Sequence, residues 1–185
     1  RLAWLSWNHP DMPWDGTELW LADLGPDGSP ANPRCVAGGR EESVFQPQFA
    51  PDGTLYFVSD RNNWWNLYRL RQGNVEALAP MEAEFGLPQW IFGMSAYAFD
   101  SAQRLVCALN RAGVWQLAVL DTDTLRLERI ETPFSDINQV VAGHGAAVFV
   151  GAAPGLPASI VRLDLATHRY EILRASTNDI PDAGY

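Results

Sequence analysis

The chain of 185 residues contains no lysine, and all 13 of its cationic side chains are arginine. Schiff-base chemistry through a lysine and the lysine of a phosphate-binding P-loop are thereby excluded. Acidic residues number 22 and the net charge is −9. No nucleic-acid partner is expected of such a chain, because phosphate binding draws on clustered cations. Cysteine is scarce as well: Cys35 and Cys107 are too few and too far apart for a zinc cluster or a disulfide framework. Two idle thiols in a reducing, cytoplasmic setting, with no metal and no cofactor, are the expectation. Long apolar runs are missing too. No segment approaches the roughly 18 residues that a membrane helix needs, so no membrane partner is expected. There is no signal-peptide pattern after Arg1, and "RLAWLSW" already reads as a strand, which suggests an excised piece of a longer chain.

What is present is a globular composition, 47% hydrophobic and 19% charged, with turn signals so frequent that helices have little room. "GPDGSP", "APDG", "RQGN", "DTDT", "GHG" and "PGLP" separate short runs rich in Leu, Val, Trp, Tyr and Phe. That is the pattern of an all-β protein with many strands. The runs also repeat as a set. One kind begins at Arg1, Thr54, Arg104 and Ala146 ("RLAWLSW", "TLYFVSDR", "RLVCALNR", "AAVFVGA"), and a second follows each of them ("ELWLADL", "NLYRLR", "WQLAVLD", "SIVRLDL"). A more polar third kind comes next ("PRCVAGG", "NVEALAP", "LRLERIE", "RYEILRA"). One further strand precedes the second, third and fourth units ("SVFQPQFAP", "MSAYAFD", "INQVVAG").

Four antiparallel strands recurring at about fifty residues are the signature of β-propeller blades. The expectation is a partial β-propeller of about four blades at 1–42, 43–85, 86–135 and 136–175, the first without its innermost strand. Pro47 suits an innermost strand, where a missing N–H is tolerated at the sheet edge. An incomplete arc leaves blade faces exposed, and a homodimer through those faces is one expected consequence.

Blade topology sends the connections to two opposite faces. "APDG", "DSAQ", "GHGA", "RQGN", "DTDT" and "ATHR" are short and polar, as solvated hairpin turns should be. The opposite face receives "NHPDMPWDG", "SDRNNWW", "NRAG", "GAAPGLPA" and the long "PMEAEFGLPQWIFG". Aromatic loops gathered on one face mark a surface that something else covers.

"LAWLSWNHPDMPWDGTELW", "SVFQPQFAPDGTLYFVSDRNNWWNLYRL" and "EAEFGLPQWIFGMSAYAF" resemble the propeller of prolyl oligopeptidase family serine peptidases, in the dipeptidyl-aminopeptidase and acylaminoacyl-peptidase-like branch. "PDGTLYFVSDR" is shared with TolB-type propellers. The resemblance implies a propeller that caps an α/β-hydrolase domain carrying a Ser-Asp-His triad and that limits access to short or unfolded peptides. It also implies that residues 176–185 begin a linker toward that domain. The alternative is a stand-alone TolB-like propeller acting as a protein-interaction module.

No catalytic residue is expected within the chain. A nucleophile elbow needs G-x-S-x-G between a strand and a helix, whereas "GMSAY" around Ser95 ends in Tyr97 and runs into a strand. His9, His144 and His168 fall in separate connections, which argues against a triad or a metal site. The candidates for contact with substrate or hydrolase domain are His9, Trp14, Asp15, Arg61, Trp64, Trp65, Glu82, Glu84 and Trp90. For Trp7 and the other loop tryptophans, the competing expectation is packing between adjacent sheets. Arg61 could pair with Asp11 or Asp15 in a structural salt bridge. By the resemblance, Glu82 or Glu84 would hold a substrate's free amine; alternatively, Glu84 bonds backbone N–H groups and fixes the "FGLP" turn.

Overall fold

The computed structural model describes residues 1–177; the expected linker falls almost wholly outside the described residues. No helix occurs among those described, and none is therefore long and apolar enough to cross a membrane. The chain divides into two compact units, Arg1–Phe92 and Gly93–Tyr185.

The first unit holds two antiparallel sheets. One is three-stranded, in the order β1 (Leu2–Ser6), β2 (Thr17–Leu24), β3 (Pro30–Gly39). The other is four-stranded, in the order β4 (Val44–Phe49), β5 (Leu55–Ser59), β6 (Asn66–Arg71), β7 (Asn74–Ala77). The second unit holds two four-stranded sheets. Their orders are β8 (Tyr97–Phe99), β9 (Arg104–Arg111), β10 (Val114–Asp121), β11 (Leu127–Ile130), and β12 (Asp136–Gly143), β13 (Ala146–Ala153), β14 (Leu156–Asp164), β15 (Tyr170–Ala175). These are four meander sheets of the blade type, one lacking its innermost strand, and the fold is a partial β-propeller.

The burial of each strand follows its place in the sheet. All five residues of β5 are buried, and β9 is buried from Leu105 to Leu109. The outermost β7 and β15 are almost entirely exposed or half-exposed. A strand sandwiched on both faces must be apolar at every position, whereas an outer strand needs no such pattern. In the first unit the sheets meet through Leu19, Leu21 and Ala37 on one side and Val44, Leu55, Phe57 and Tyr68 on the other. In the second unit Val106 and Leu117 pack with Ile137, Phe149, Val161 and Leu163. Each fully buried Leu or Phe of this kind contributes about 1.5–3 kcal/mol.

Two innermost strands share a distortion that sequence patterning did not disclose. Pairing of β4 with β5 slips between Phe45 and Gln48, and pairing of β12 with β13 slips between Asn138 and Val141. Gln46 and Gln139 sit at these bulges with φ of 47° and 55°. The bulge leaves one residue without a ladder partner, which is why Pro47 is accommodated beside it.

Candidate functional site: the loop face of the first unit

Three segments gather over the first unit: residues 7–16 between β1 and β2, 60–65 between β5 and β6, and 79–92 after β7. The polar residues buried in this unit explain their order. Thr17, Ser43, Ser59 and Asn66 are each 0–1% exposed, and all lie at or beside strand ends beneath these loops. A buried hydroxyl or amide is tolerated only when hydrogen-bonded, and here the partners are loop groups.

The Pro13 carbonyl accepts from the Thr17 hydroxyl and, at 2.9 Å, from the Ser43 hydroxyl. The Ser43 N–H donates to Asp60 Oδ1 at 2.7 Å, which ties the first loop to the second. Burial pushes the Asp60 carboxyl up from its ordinary value, although hydrogen bonds from Ser43 and Trp65 pull the other way. Asn66 holds the third loop: its Nδ2 donates to the carbonyls of Met81 (3.1 Å) and Ala83 (2.9 Å), and its Oδ1 accepts from the Met81 N–H at 2.7 Å.

The candidates named from sequence fall into two groups. Asp15, Arg61, Trp65 and Glu84 are engaged in building the loops. Asp15 Oδ2 accepts from the Met12 N–H at 2.8 Å and closes its own turn. Arg61 pairs with Glu42 at 2.7 Å, not with Asp11 or Asp15, and its guanidinium lies 5.0 Å over the Tyr68 ring. Glu42 also accepts from the Ser59 hydroxyl at 2.6 Å. Glu84 Oε2 accepts from the Trp65 N–H at 2.7 Å, and the Phe85 N–H donates to the Trp65 carbonyl at 2.6 Å. Gly86 lies directly against the Trp65 ring, where an added Cβ would come within 3.1 Å of it.

His9, Trp64, Glu82 and Trp90 form the second group and are exposed. Trp14 bridges the two groups: it is half-buried, with its ring 4.3 Å from that of Trp90. Inter-sheet packing therefore does not describe the loop tryptophans generally. Trp7 is 39%, Trp64 36% and Trp90 72% exposed, and Ile91 and Phe92 beside Trp90 are 66% and 91% exposed. The outcome is an apolar surface standing on a fully hydrogen-bonded polar base.

Glu42, Ser43, Ser59 and Asn66 were not singled out from sequence. For Ser43, Ser59 and Asn66 the only signal is a small polar residue at or beside the end of a largely apolar strand, and Glu42, in the connection before β4, carries none.

No catalytic constellation accompanies this face. The Ser95 hydroxyl donates to the Val140 carbonyl at 2.7 Å and also lies 3.1 Å from the Tyr97 carbonyl, which is a structural role. His144 and His168 occupy turns of the second unit with φ of 54° and 55°. Among the described residues no group of three or more His, Cys, Asp or Glu could hold a metal ion. Cys35 is exposed and Cys107 fully buried; burial pushes both thiols up, which suppresses the reactive thiolate.

No family model matches the chain, and no curated protein sequence matches it. Solved structures do. A puromycin-hydrolysing peptidase of Mycobacterium tuberculosis is 40% identical, with a TM-score of 0.90 over 97% of this chain and 28% of its own. A puromycin hydrolase is 34% identical, with a TM-score of 0.88 over 96% of this chain and 27% of its own. TolB from Acinetobacter baumannii, 20% identical with a TM-score of 0.65 over 89% of this chain and 39% of its own, shares the fold. The chain thus spans between a quarter and a third of each of the two peptidases.

Proposed function

We propose that this chain, which belongs to the β-propeller domains of the prolyl oligopeptidase family of serine peptidases, selects substrates for an α/β-hydrolase domain and supplies none of the catalytic groups. The observation that carries the reading is the apolar face of Trp14, Trp90, Ile91 and Phe92 on its hydrogen-bonded base. A monomeric domain gains nothing from ordering exposed aromatics in this way. Held against a hydrolase domain, the same face excludes water and narrows the route to the serine. By likeness to proteins named for hydrolysing puromycin, the substrates are compounds with an aminoacyl amide bond, short peptides among them. Within that reading the exposed Glu82 carboxylate, close in sequence to the anchored Glu84, is the candidate partner for a substrate's free amine. Trp90 and Phe92 are candidates for contact with its apolar side chains.

The test compares the 185-residue chain alone with a longer protein that contains it, using puromycin and aminoacyl p-nitroanilides. The longer protein should hydrolyse them and be inactivated by a serine-directed phosphonate, while the chain alone releases nothing. Turnover by the chain alone that disappears in Ser95→Ala would overturn the assignment of a non-catalytic role. Absence of turnover by the longer protein would overturn the peptidase reading.

A further inference from the structure

Trp90 is exposed and yet held in place. It lies within the connection between β7 and β8, far from either terminus. Its ring is 4.3 Å from that of half-buried Trp14, at an interplanar angle of 48°, and the residue is still 72% exposed. One side of the indole is therefore covered and the other is open.

Both rings stand on fixed backbone. Around Trp14, the Asp11 N–H donates to the Asn8 carbonyl and the Asp15 N–H to the Met12 carbonyl, each at 2.9 Å. The Pro13 carbonyl accepts from the buried Thr17 and Ser43 hydroxyls. Beside Trp90, Gln89 Nε2 donates to the Val44 carbonyl at the start of β4 at 3.2 Å, and the Trp90 N–H donates to the Pro88 carbonyl at 2.9 Å. The entropy of ordering this indole is thus met within the fold, before any ligand arrives.

An open indole face attracts either another planar ring, by offset stacking, or a cation. Cations are best held when several rings surround them. Here the second ring lies against Trp90 itself, which leaves one flat face and no cage, and a flat face is matched best by a flat ring.

We propose that the open face of Trp90, positioned by Trp14, is a stacking subsite for a planar aromatic group of the substrate, carried on its acyl side chain or on its leaving group. The inference rests on the peptidase reading above and adds a preference that apolar burial alone does not give. An aliphatic group of similar size buries the same area without the stacking, which is worth about two- to tenfold in binding. Trp14 is a positioning residue, acting through Trp90.

The test uses a longer protein that contains this chain, with two pairs of substrates bearing a free amine. Phenylalaninamide and leucinamide differ in the side chain; the p-nitroanilide and the methylamide of leucine differ in the leaving group. In one pair, Trp90→Leu should lower the kcat/KM ratio of the ring-bearing to the ring-free member by about two- to tenfold, with the change lying in KM. Trp90 is exposed, so this substitution leaves the fold in place. Trp14→Ala should lower the same ratio by freeing the Trp90 ring, and Trp14→Phe should restore most of it, whereas a purely structural loss would lower kcat/KM for every substrate alike. The pair that responds identifies the stacked group. Ratios unchanged in Trp90→Leu would overturn the inference and leave the peptidase reading intact; an equal loss on every substrate would overturn it too, by assigning the Trp90 face to the shared ammonium group. Failure of the unsubstituted longer protein to hydrolyse any of these compounds would overturn the peptidase reading, and the inference with it.

Discussion

The turn between the second and third strands of a blade is handled in opposite ways in the two units. In the second unit β9 and β10 are joined through Ala112 and Gly113, both with positive φ (54° and 84°), the tight hairpin that matches strand twist. In the first unit the same connection runs through residues 7–16 in one sheet and 60–65 in the other, and these carry Trp7, Trp14, Trp64 and Trp65. The blade ladders are otherwise alike, so closing a blade does not require the longer loops. Ordering each extra residue costs about 1–2 kcal/mol of backbone entropy. The buried Thr17, Ser43, Ser59 and Asn66 offset that cost with hydrogen bonds. "NRAG" and "GAAPGLPA", grouped by topology with the long loops, are in fact tight turns of the second unit, and the aromatic surface described here belongs to the first.

This contrast can be broken most severely at Asn66. Asn66→Ala removes the side-chain partner of the Met81 N–H and of the buried Ala83 carbonyl and should lower stability by about 3 kcal/mol. The readout is denaturant unfolding, with faster amide exchange at Met81 and Phe85; unchanged exchange there would show that the loop does not depend on this anchor. In the second unit, Gly151→Ala would bring Cβ within 2.8 Å of the buried Phe134 ring. It should cost about 2 kcal/mol by overpacking. At Gly86 an added Cβ has looser contacts, 3.1 Å from the half-buried Trp65 ring, 3.2 Å from Val58 and 3.3 Å from Phe45, and Gly86→Ala should cost about 1 kcal/mol. Thermal unfolding ranks the two, and a reversed order would mean that the first unit's loops are packed more rigidly than the second unit's core. Replacing Trp90 and Phe92 together by Ser should change stability by no more than about 0.5 kcal/mol, because both are exposed. A large loss would show that they support the fold.

The smallest contrast is one of pH. Asp60 in the first unit is pushed up by burial, so the stability tied to its protonated form is present below the ordinary value of 3.8 and lost as pH rises through its folded value. For Asp100 in the second unit burial acts upward too, but hydrogen bonds from Arg104 and the Gly145 N–H outweigh it and hold the carboxyl below 3.8. Its contribution is present above 3.8 and lost as pH falls through the folded value. On acidification, wild type should therefore gain stability relative to Asp60→Asn and lose it relative to Asp100→Asn. Parallel trends in the two comparisons would contradict these environments.

The strands were legible because alternation and turn chemistry are local. The repeat of "RLAWLSW" and "TLYFVSDR" and the turns "APDG", "RQGN" and "DTDT" carry that signal directly, whereas nothing in "NRAG" distinguishes a tight turn from a longer loop. The bulges at Gln46 and Gln139 were not legible, since glutamine carries no preference for positive φ and only sheet curvature demands it there. The Arg61–Glu42 pair was missed for a similar reason: the partner sits across a strand connection, and nearby Asp11 and Asp15 compete for notice by charge alone. For Trp90 the sequence left two expectations open, packing between sheets and a surface made for contact, and its 72% exposure favours the second.

On the proposed reading, the aromatic loop face governs which substrates reach a serine outside this chain. It is tested most directly in a longer active protein by measuring kcat/KM across peptides of increasing length, with and without Ser at positions 90 and 92. The account predicts that the substituted protein keeps its rate on the shortest substrates and loses discrimination against longer ones. An unchanged length profile in a folded, active variant would contradict it.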